Sequence, residues 1–195
     1  LIQASVTGII IYITDVKLSS FGYLLGEFLS FELGLLSIPI TIITVVGLTN
    51  AINMADGIDG NAAGLILIAI IGILYFSIND KNSSLSYFLV ATALAIIPFM
   101  VFNLFLFLKT KIFLGDAGSL FLGFIISWAL IYSAENGTGF SPSFALWCVA
   151  VPLLDFFTVI TIRILNKRSL VIANKDHLHH ILLNRGLSKK LVTLL

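Results

Sequence analysis

Charge is what this sequence has least of. Only 11% of its 195 residues are Asp, Glu, Lys or Arg, while 58% are hydrophobic; a soluble domain carries roughly a quarter charged residues. With a mean hydropathy of +1.08, this excludes a soluble α/β enzyme and a nucleic-acid binder. Cysteine is nearly missing too. Cys148 is the single one and lies in an apolar run, which excludes a disulfide framework and a cysteine metal site. Strand signals are absent, because the apolar runs are too long and lack alternation of period two. No internal repeat and no low-complexity tract is visible. The chain starts at Leu1 with no charged n-region, so no signal peptide is expected. It closes on Lys189-Lys190-Leu191-Val192-Thr193-Leu194-Leu195, which reads as the start of another apolar helix. Both ends look cut, and an internal piece of a longer protein is expected.

What is present is a series of apolar stretches, at 1–14, 35–55, 62–78, 85–108, 117–133 and 143–165. The first falls short of the ~20 residues a spanning helix needs and reads as the remainder of one; the others are of spanning length. The expected fold is all-α, a polytopic transmembrane helix bundle of about six spans forming one integral-membrane domain over residues 1–195. The connections are a mixed loop at 15–34, a polar turn at 79–84, a loop at 135–142 and a polar, basic segment at 166–188. Alternating the spans puts Lys17 and Lys81 on one side. Lys109, Lys111, Arg163, Lys167, Arg168, Lys175, Arg185, Lys189 and Lys190 fall on the other, nine against two. The positive-inside rule makes the second side cytoplasmic.

Three polar constellations then share that face. The first is Asn50-Ala51-Ile52-Asn53-Met54-Ala55-Asp56-Gly57-Ile58-Asp59-Gly60, set between two charge-free runs. Polar groups are costly in hydrocarbon, so the cluster is a functional hypothesis by default. Gly57 and Gly60 let the backbone leave the helix and let a ligand approach. The plainer reading is a polar turn with Asp59 capping the next helix. The second is Gly115-Asp116-Ala117-Gly118-Ser119, in which Asp116 is either the N-cap of a helix starting at Ala117 or a metal ligand. Asp56, Asp59 and Asp116 suit Mg²⁺, which takes one or two carboxylates plus substrate phosphates. The third holds His177, His179 and His180. Zinc, a solvated loop and anion contact are the competing readings. The cationic cluster with Lys175 and Arg185 favours contact with phosphate oxygens. Asp155 lies mid-span, three residues after Pro152, which can kink the helix. It is either a partner for a Ser, Thr or Arg on another helix or a group facing a polar cavity. Asn103 is a weaker case of the same kind.

In order and between membrane spans, the run Asn50 to Gly60, then Phe113-Leu114-Gly115-Asp116-Ala117-Gly118-Ser119, then His177-Leu178-His179-His180 resemble the bacterial polyprenyl-phosphate N-acetylhexosamine-1-phosphate transferases. The resemblance covers nearly the whole chain. Asn53-Met54, Ala145-Leu146-Trp147 and Val151-Pro152-Leu153-Leu154-Asp155 point to the branch that moves GlcNAc-1-phosphate from UDP-GlcNAc to undecaprenyl phosphate. That step begins enterobacterial common antigen and O-antigen lipopolysaccharide. The branches serving peptidoglycan or teichoic acid are the close alternatives. The resemblance implies a multi-pass inner-membrane enzyme with a cytoplasmic site, requiring Mg²⁺ or Mn²⁺. Its partners would be UDP-GlcNAc, undecaprenyl phosphate and the bilayer, without nucleic acid and with homodimerisation open. It implies Asp116 as metal ligand with Asn53 as a second. Asp56 and Asp59 would serve the nucleotide side or place the metal, and His177, His179 and His180 the diphosphate. Asn50, Asn53, Asn103, Lys175 and Arg185 are the further candidates for substrate contact. The family also carries an aspartate-rich pair before the helix of Gln3. Nothing here supplies it, so this piece alone is expected to be inactive. Asn61 stands where the family has an apolar residue, and tolerance is expected there.

Two other classes compete. A secondary transporter also has intramembrane polar groups, but binds near the midplane between repeats; only Asp155 favours it. A catalytically dead scaffold would explain the missing acids.

Overall fold

Residues 61–77 are apolar on every side, and a helix of that kind is buried or lipid-facing all round. The computed structural model, which describes residues 1–23, 30–77, 83–104, 112, 114–136, 140–167, 169 and 177–194, sets one face of this helix in the core of a bundle. The chain runs α1 (Ile2–Thr14), β1 (Ser20–Tyr23), β2 (Ser30–Glu32), a 3₁₀ turn (Gly34–Leu36), α2 (Ser37–Ala55), α3 (Asn61–Ser77), α4 (Ser83–Leu104), α5 (Gly115–Asn136), α6 (Pro142–Cys148), α7 (Ala150–Leu165), α8 (Leu178–Asn184) and α9 (Lys189–Leu194).

One stripe of α3, including Ala62, Ile66, Ala69, Ile70 and Ile73, is fully buried. Around it lie Leu48 and Ile52 of α2, Leu89 and Ile96 of α4, and Ile126 and Leu130 of α5. The opposite stripe is just as apolar but bare: Ile68, Ile71 and Tyr75 are 60, 65 and 69% exposed. A bare apolar face on a helix with a buried apolar face is what a bilayer tolerates and water does not. Packing between such helices comes from close backbone approach rather than from hydrophobic burial. Gly123 provides it: a Cβ there would stand 3.2 Å from the backbone of Thr49, so α2 and α5 cross at the glycine.

The expected all-α membrane bundle is the fold observed. Among the described residues, Gly34–Ala55, Ser84–Asn103 and Gly115–Asn136 are long and apolar enough to cross a bilayer. α1 and α3, at 13 and 17 residues, are shorter apolar helices. The continuation expected at 105–108 lies outside the described residues. The stretch 143–165 is not one straight span: α6 and α7 meet at a bend of 80°. The break falls at Val149, ahead of Pro152. Pro152 has no N–H to offer the Cys148 carbonyl, so the helical ladder restarts with Leu153 N–H donating to Val149 O at 3.2 Å.

A second departure is the hairpin. β1 and β2 pair antiparallel within the stretch read as a loop. The strands are only four and three residues long, too short for periodicity to register. Phe21 and Phe31 pack across them at 6.4 Å between ring centroids. This end of the molecule is stitched together by polar groups. Leu18 N–H donates to Thr41 Oγ1 at 2.9 Å, and Ser37 Oγ donates to Leu18 O. Ser19 donates through its N–H and its Oγ to the two carboxylate oxygens of Glu135, at 2.9 and 2.7 Å. Since α2 leaves this end and α5 arrives at it, the C-terminus of α2 and the N-terminus of α5 come together at the far end, roughly 28 Å away by helix rise.

Candidate active site

At that far end the three polar constellations meet. α2 stops at Ala55, where Asp56 N–H donates to Asn53 O at 3.1 Å. The turn reverses through Gly60 at φ 75°, a conformation nearly free of cost only for glycine. Gly57 has a different reason to be glycine. A Cβ there would lie 2.5 Å from Nε2 of His179, so the histidine segment rests directly on the turn.

α5 begins at Gly115, with φ 67°, and Asp116 lies in its first turn. The N-cap reading of Asp116 is thereby corrected: the helix starts two residues earlier than Ala117, and Asp116 faces the dipole from within the first turn. Asn53 Nδ2 donates to Asp116 Oδ1 at 3.3 Å and to Ser119 Oγ at 2.8 Å. Ser119, fully buried, in turn donates to Gly115 O at 2.9 Å. Gly115 N–H also bonds the Asp56 carboxylate. The end of α2 and the start of α5 are thus tied by an amide, a hydroxyl and a carboxylate.

α8 supplies the histidines. His177 is its N-cap residue. Leu178 N–H donates to Asp155 Oδ1 at 2.7 Å, and His177 Nδ1 pairs with Asp155 Oδ2 at 2.9 Å. The rings of His177 and His179 stack at 5.8 Å, and those of His179 and His180 lie 4.2 Å apart. His177 and His179 are buried. α9 is pinned to the same turn by Thr193 Oγ1 donating to Asp59 O at 3.0 Å.

The electrostatics follow from this burial. Asp56 is pushed up to about 6, first by burial and further by the charge of Asp116, against the hydrogen bond from Gly115 that favours its ionised form. His179 is pushed down to about 4 by burial and by its neighbours His180 and His177, with the Asp155 carboxylate acting in the opposite sense. The turn therefore holds a carboxyl that ionises reluctantly beside a histidine that stays neutral.

Other expected site residues stand apart from this contact set. Asn50 donates to Gln3 Oε1 at 2.9 Å and to Val46 O at 2.7 Å, tying α1 to α2. Asn103, 3% exposed, donates to Ile112 O at the end of α4 and so anchors the chain ahead of Gly115. Arg185 is the exposed C-cap residue of α8. Lys175 and Phe113 lie outside the described residues. Against the expectation of a Ser, Thr or Arg partner, Asp155 meets His177 and a backbone amide among the described residues. That engagement also accounts for the one feature that favoured a transporter. Thr193 carries no sequence signal; Ser119 stands in the second constellation and Asn61 where the family has an apolar residue, but neither sequence feature points to the bonds they make. Asn61 Nδ2 donates to Ala55 O at 2.9 Å, closing the end of α2.

A cavity of about 250 Å³ opens beside the cluster, between α3, α7, α8 and α9. Asn61, Asp155, His179 and Thr193 form its polar side. Its wall includes Ile68 and Val151, 60 and 52% exposed on the bundle's apolar surface. Two further cavities, of about 340 and 490 Å³, lie toward the hairpin and border Lys17 and Trp128.

Oxygen donors here include Asp116, exposed, and Asp56 and Asp59, half-buried. Among the described residues no three His, Cys, Asp or Glu side chains converge on one point. Such a set fits a hard cation that takes one or two carboxylates and completes its shell with water and phosphate, as Mg²⁺ does. In this arrangement the Asn53 amide group orients Asp116 with its nitrogen.

Comparison with known proteins bears on this arrangement directly. Residues 1–134 match the family model described as glycosyl transferase family 4. The chain is 35% identical over 194 residues to the undecaprenyl-phosphate alpha-N-acetylglucosaminyl 1-phosphate transferase of Escherichia coli O157:H7, covering 97% of this chain and 52% of the relative. It is 39% identical over 168 residues to a probable undecaprenyl-phosphate N-acetylglucosaminyl 1-phosphate transferase of Bacillus subtilis (strain 168), covering 84% of this chain and 45% of the relative. A Yersinia pestis protein bearing the same name as the Escherichia coli one is 31% identical over 193 residues, 97% of this chain and 52% of its own length. The chain spans about half the length of the curated relatives it matches.

Proposed function

This chain belongs to glycosyl transferase family 4, and from that premise we propose that the protein it represents transfers GlcNAc-1-phosphate from UDP-GlcNAc to undecaprenyl phosphate, releasing UMP. The observation that carries the reading is the meeting, at one end of an apolar bundle, of the Asp56–Gly60 turn, Asp116 and the histidine segment. The relatives' names supply the donor group and the lipid acceptor.

In the proposed reaction an oxygen of the lipid phosphate attacks the β-phosphorus of UDP-GlcNAc. The bond from that phosphorus to the bridging oxygen breaks, and UMP leaves with the electron pair. A phosphate monoester has a second pKa near ~6 and is mostly dianionic at neutral pH. The nucleophile therefore needs no strong base, and positioning with charge neutralisation does most of the catalysis. Mg²⁺, when bound, would supply charge neutralisation on the diphosphate. Asp116 is the residue we assign to hold it, oriented by Asn53, with the Asp56 carboxylate beside it. His177 and His180 are assigned to the phosphate oxygens. His179, buried against Gly57, is assigned instead to seating α8. The cavity beside Asn61 and Asp155 opens on the apolar surface, and its shape suits the first isoprene units of an acceptor arriving from the bilayer.

The nine-to-two distribution of Lys and Arg supports an orientation with this end in the cytoplasm of a bacterial inner membrane. The test is UMP release by the full-length membrane protein, with and without undecaprenyl phosphate. Release that requires both the lipid and UDP-GlcNAc is the expected result. A folded protein that releases no UMP, or releases it equally without lipid, would overturn the assignment.

A further inference from the structure

A carboxylate on a membrane helix is expensive unless something holds it, and Asp155 is held at both oxygens. Oδ1 accepts from Leu178 N–H at 2.7 Å and Oδ2 meets His177 Nδ1 at 2.9 Å. One acid on α7 therefore does two things to α8: it satisfies an amide that the helix start leaves open, and it takes hold of one ring nitrogen of the N-cap histidine. His177 is 7% exposed and its ring lies parallel, within 4°, to that of His179. With the backbone fixed at Leu178 and the ring fixed at Nδ1, His177 has no rotational freedom left to choose which nitrogen faces its other neighbours.

We propose that Asp155 is the positioning residue of the histidine segment: it fixes His177 with a proton on Nδ1, so that Nε2 is the ring atom presented to the phosphates. A carboxylate can only accept, so Nδ1 must be the donor whether the imidazole is neutral or cationic. Which nitrogen of a histidine carries the proton is set by the hydrogen bond the other one lacks or makes. For histidines that ligate a metal, loss of such an orienting partner typically costs about 10- to 100-fold in affinity or activity, and the same scale is expected for a histidine that contacts phosphate. The phosphate half of this inference rests on the transferase reading above; the tautomer half does not.

Asp155→Asn separates capping from positioning. The amide oxygen can still accept from Leu178 N–H, but its NH₂ now faces Nδ1 as a donor and drives the ring to the Nε2–H form. In the intact protein in detergent, side-chain ¹⁵N NMR should show the Nδ1–H tautomer for His177, assigned by loss of its signal in His177→Gln. In Asp155→Asn the signal should switch to the Nε2–H pattern, with turnover down roughly 10- to 100-fold. In a His177→Ala background the same substitution should change turnover less than about twofold, because non-additivity marks groups acting through one another. A wild-type Nε2–H tautomer at His177 overturns the proposal whatever Asp155→Asn does. Additive losses in the double mutant overturn it as well, leaving Asp155 as a helix cap. A correct tautomer in a protein without transferase activity would sink the substrate assignment and keep Asp155 as the residue that orients His177.

Discussion

Gly57→Ala is the smallest change that tests whether the histidine segment and the aspartate turn work as one site. The added methyl would stand 2.5 Å from Nε2, 3.0 Å from Cε1 and 3.4 Å from Cδ2 of His179. Normal contact needs close to ~3.5–4 Å, so the ring must retreat by about 1 Å. It has little room to do so, being 5% exposed, stacked on the ring of His177 and in contact with the tilted ring of His180. Overpacking of this kind costs roughly 1–3 kcal/mol. The strain should appear as undocking of α8 and α9 rather than as global unfolding, because most of the main core cluster lies in α2 to α5 and none of it in α8 or α9. A 1 Å misplacement of positioning groups costs on the order of 10²-fold in rate. The assay is UMP release alongside thermal melting in detergent and hydrogen exchange over residues 177–194. Gly8→Ala is the control: nothing lies within 4 Å of the added methyl, and alanine in place of a helical glycine should be neutral or stabilising by up to ~1 kcal/mol. In a His179→Ala background Gly57→Ala should cost little. Wild-type turnover and wild-type exchange in Gly57→Ala would refute the contact between the two segments, and with it the composition of the site.

Three further outcomes are expected. Asp116→Asn keeps the size and the bond from Asn53 but removes the charge, and should lower kcat on the order of 10²-fold or more, the scale of one preorganised electrostatic contact; an unchanged Mg²⁺ titration would withdraw Asp116 from the metal site. Asp56→Asn should raise the melting temperature near pH 7 while abolishing turnover. The folded carboxyl is raised to about 6 from 3.8, so the fold binds more protons than the unfolded chain between these values and loses stability as pH rises through them. His179 has the opposite sign: lowered to about 4 from 6.5, it adds stability that is complete above the upper value and is lost as pH falls toward the lower. Melting curves from pH 4 to 7 should therefore rise more steeply with pH in Asp56→Asn than in wild type, and less steeply in His179→Gln; the reverse order would contradict both burial arguments. For orientation, Arg185→Cys in a Cys148→Ala background should resist a membrane-impermeant thiol reagent until lysis, whereas Lys17→Cys should react in intact spheroplasts; labelling of Arg185→Cys from outside would invert the topology.

Much of the fold was legible because membrane insertion is decided locally. A run of some twenty apolar residues declares a span whatever surrounds it, and the stretches around α2, α4 and α5 did so. The features that were not legible each depend on a neighbour. The hairpin is too short for its alternation to stand out, and it exists because Glu135 and Thr41 hold its approach. The sequence shows only that Pro152 can kink a span over 143–165; a proline disturbs the carbonyl four residues before it, so the helix breaks upstream, at Val149. Asp116 lies within the first turn because Gly115, at φ 67°, starts the helix earlier.

The sequence by itself determined the solvent, the chemistry available and the family. Apolar content, the acids beside glycines and the three histidines are properties of short segments, readable without knowing what they touch. Tertiary structure alone decided the pairings. Asn53 meets Asp116 across 63 positions, Asp155 meets His177 across 22, and Thr193 meets Asp59 across 134. These contacts arise because antiparallel α2 and α5 bring their termini to one end of the bundle, and because the bend at Val149 turns α7 so that Asp155 reaches α8. Burial then did what composition could not: it separated two groups in contact with one turn, holding the Asp56 carboxyl toward its neutral form and His179 away from its charged one.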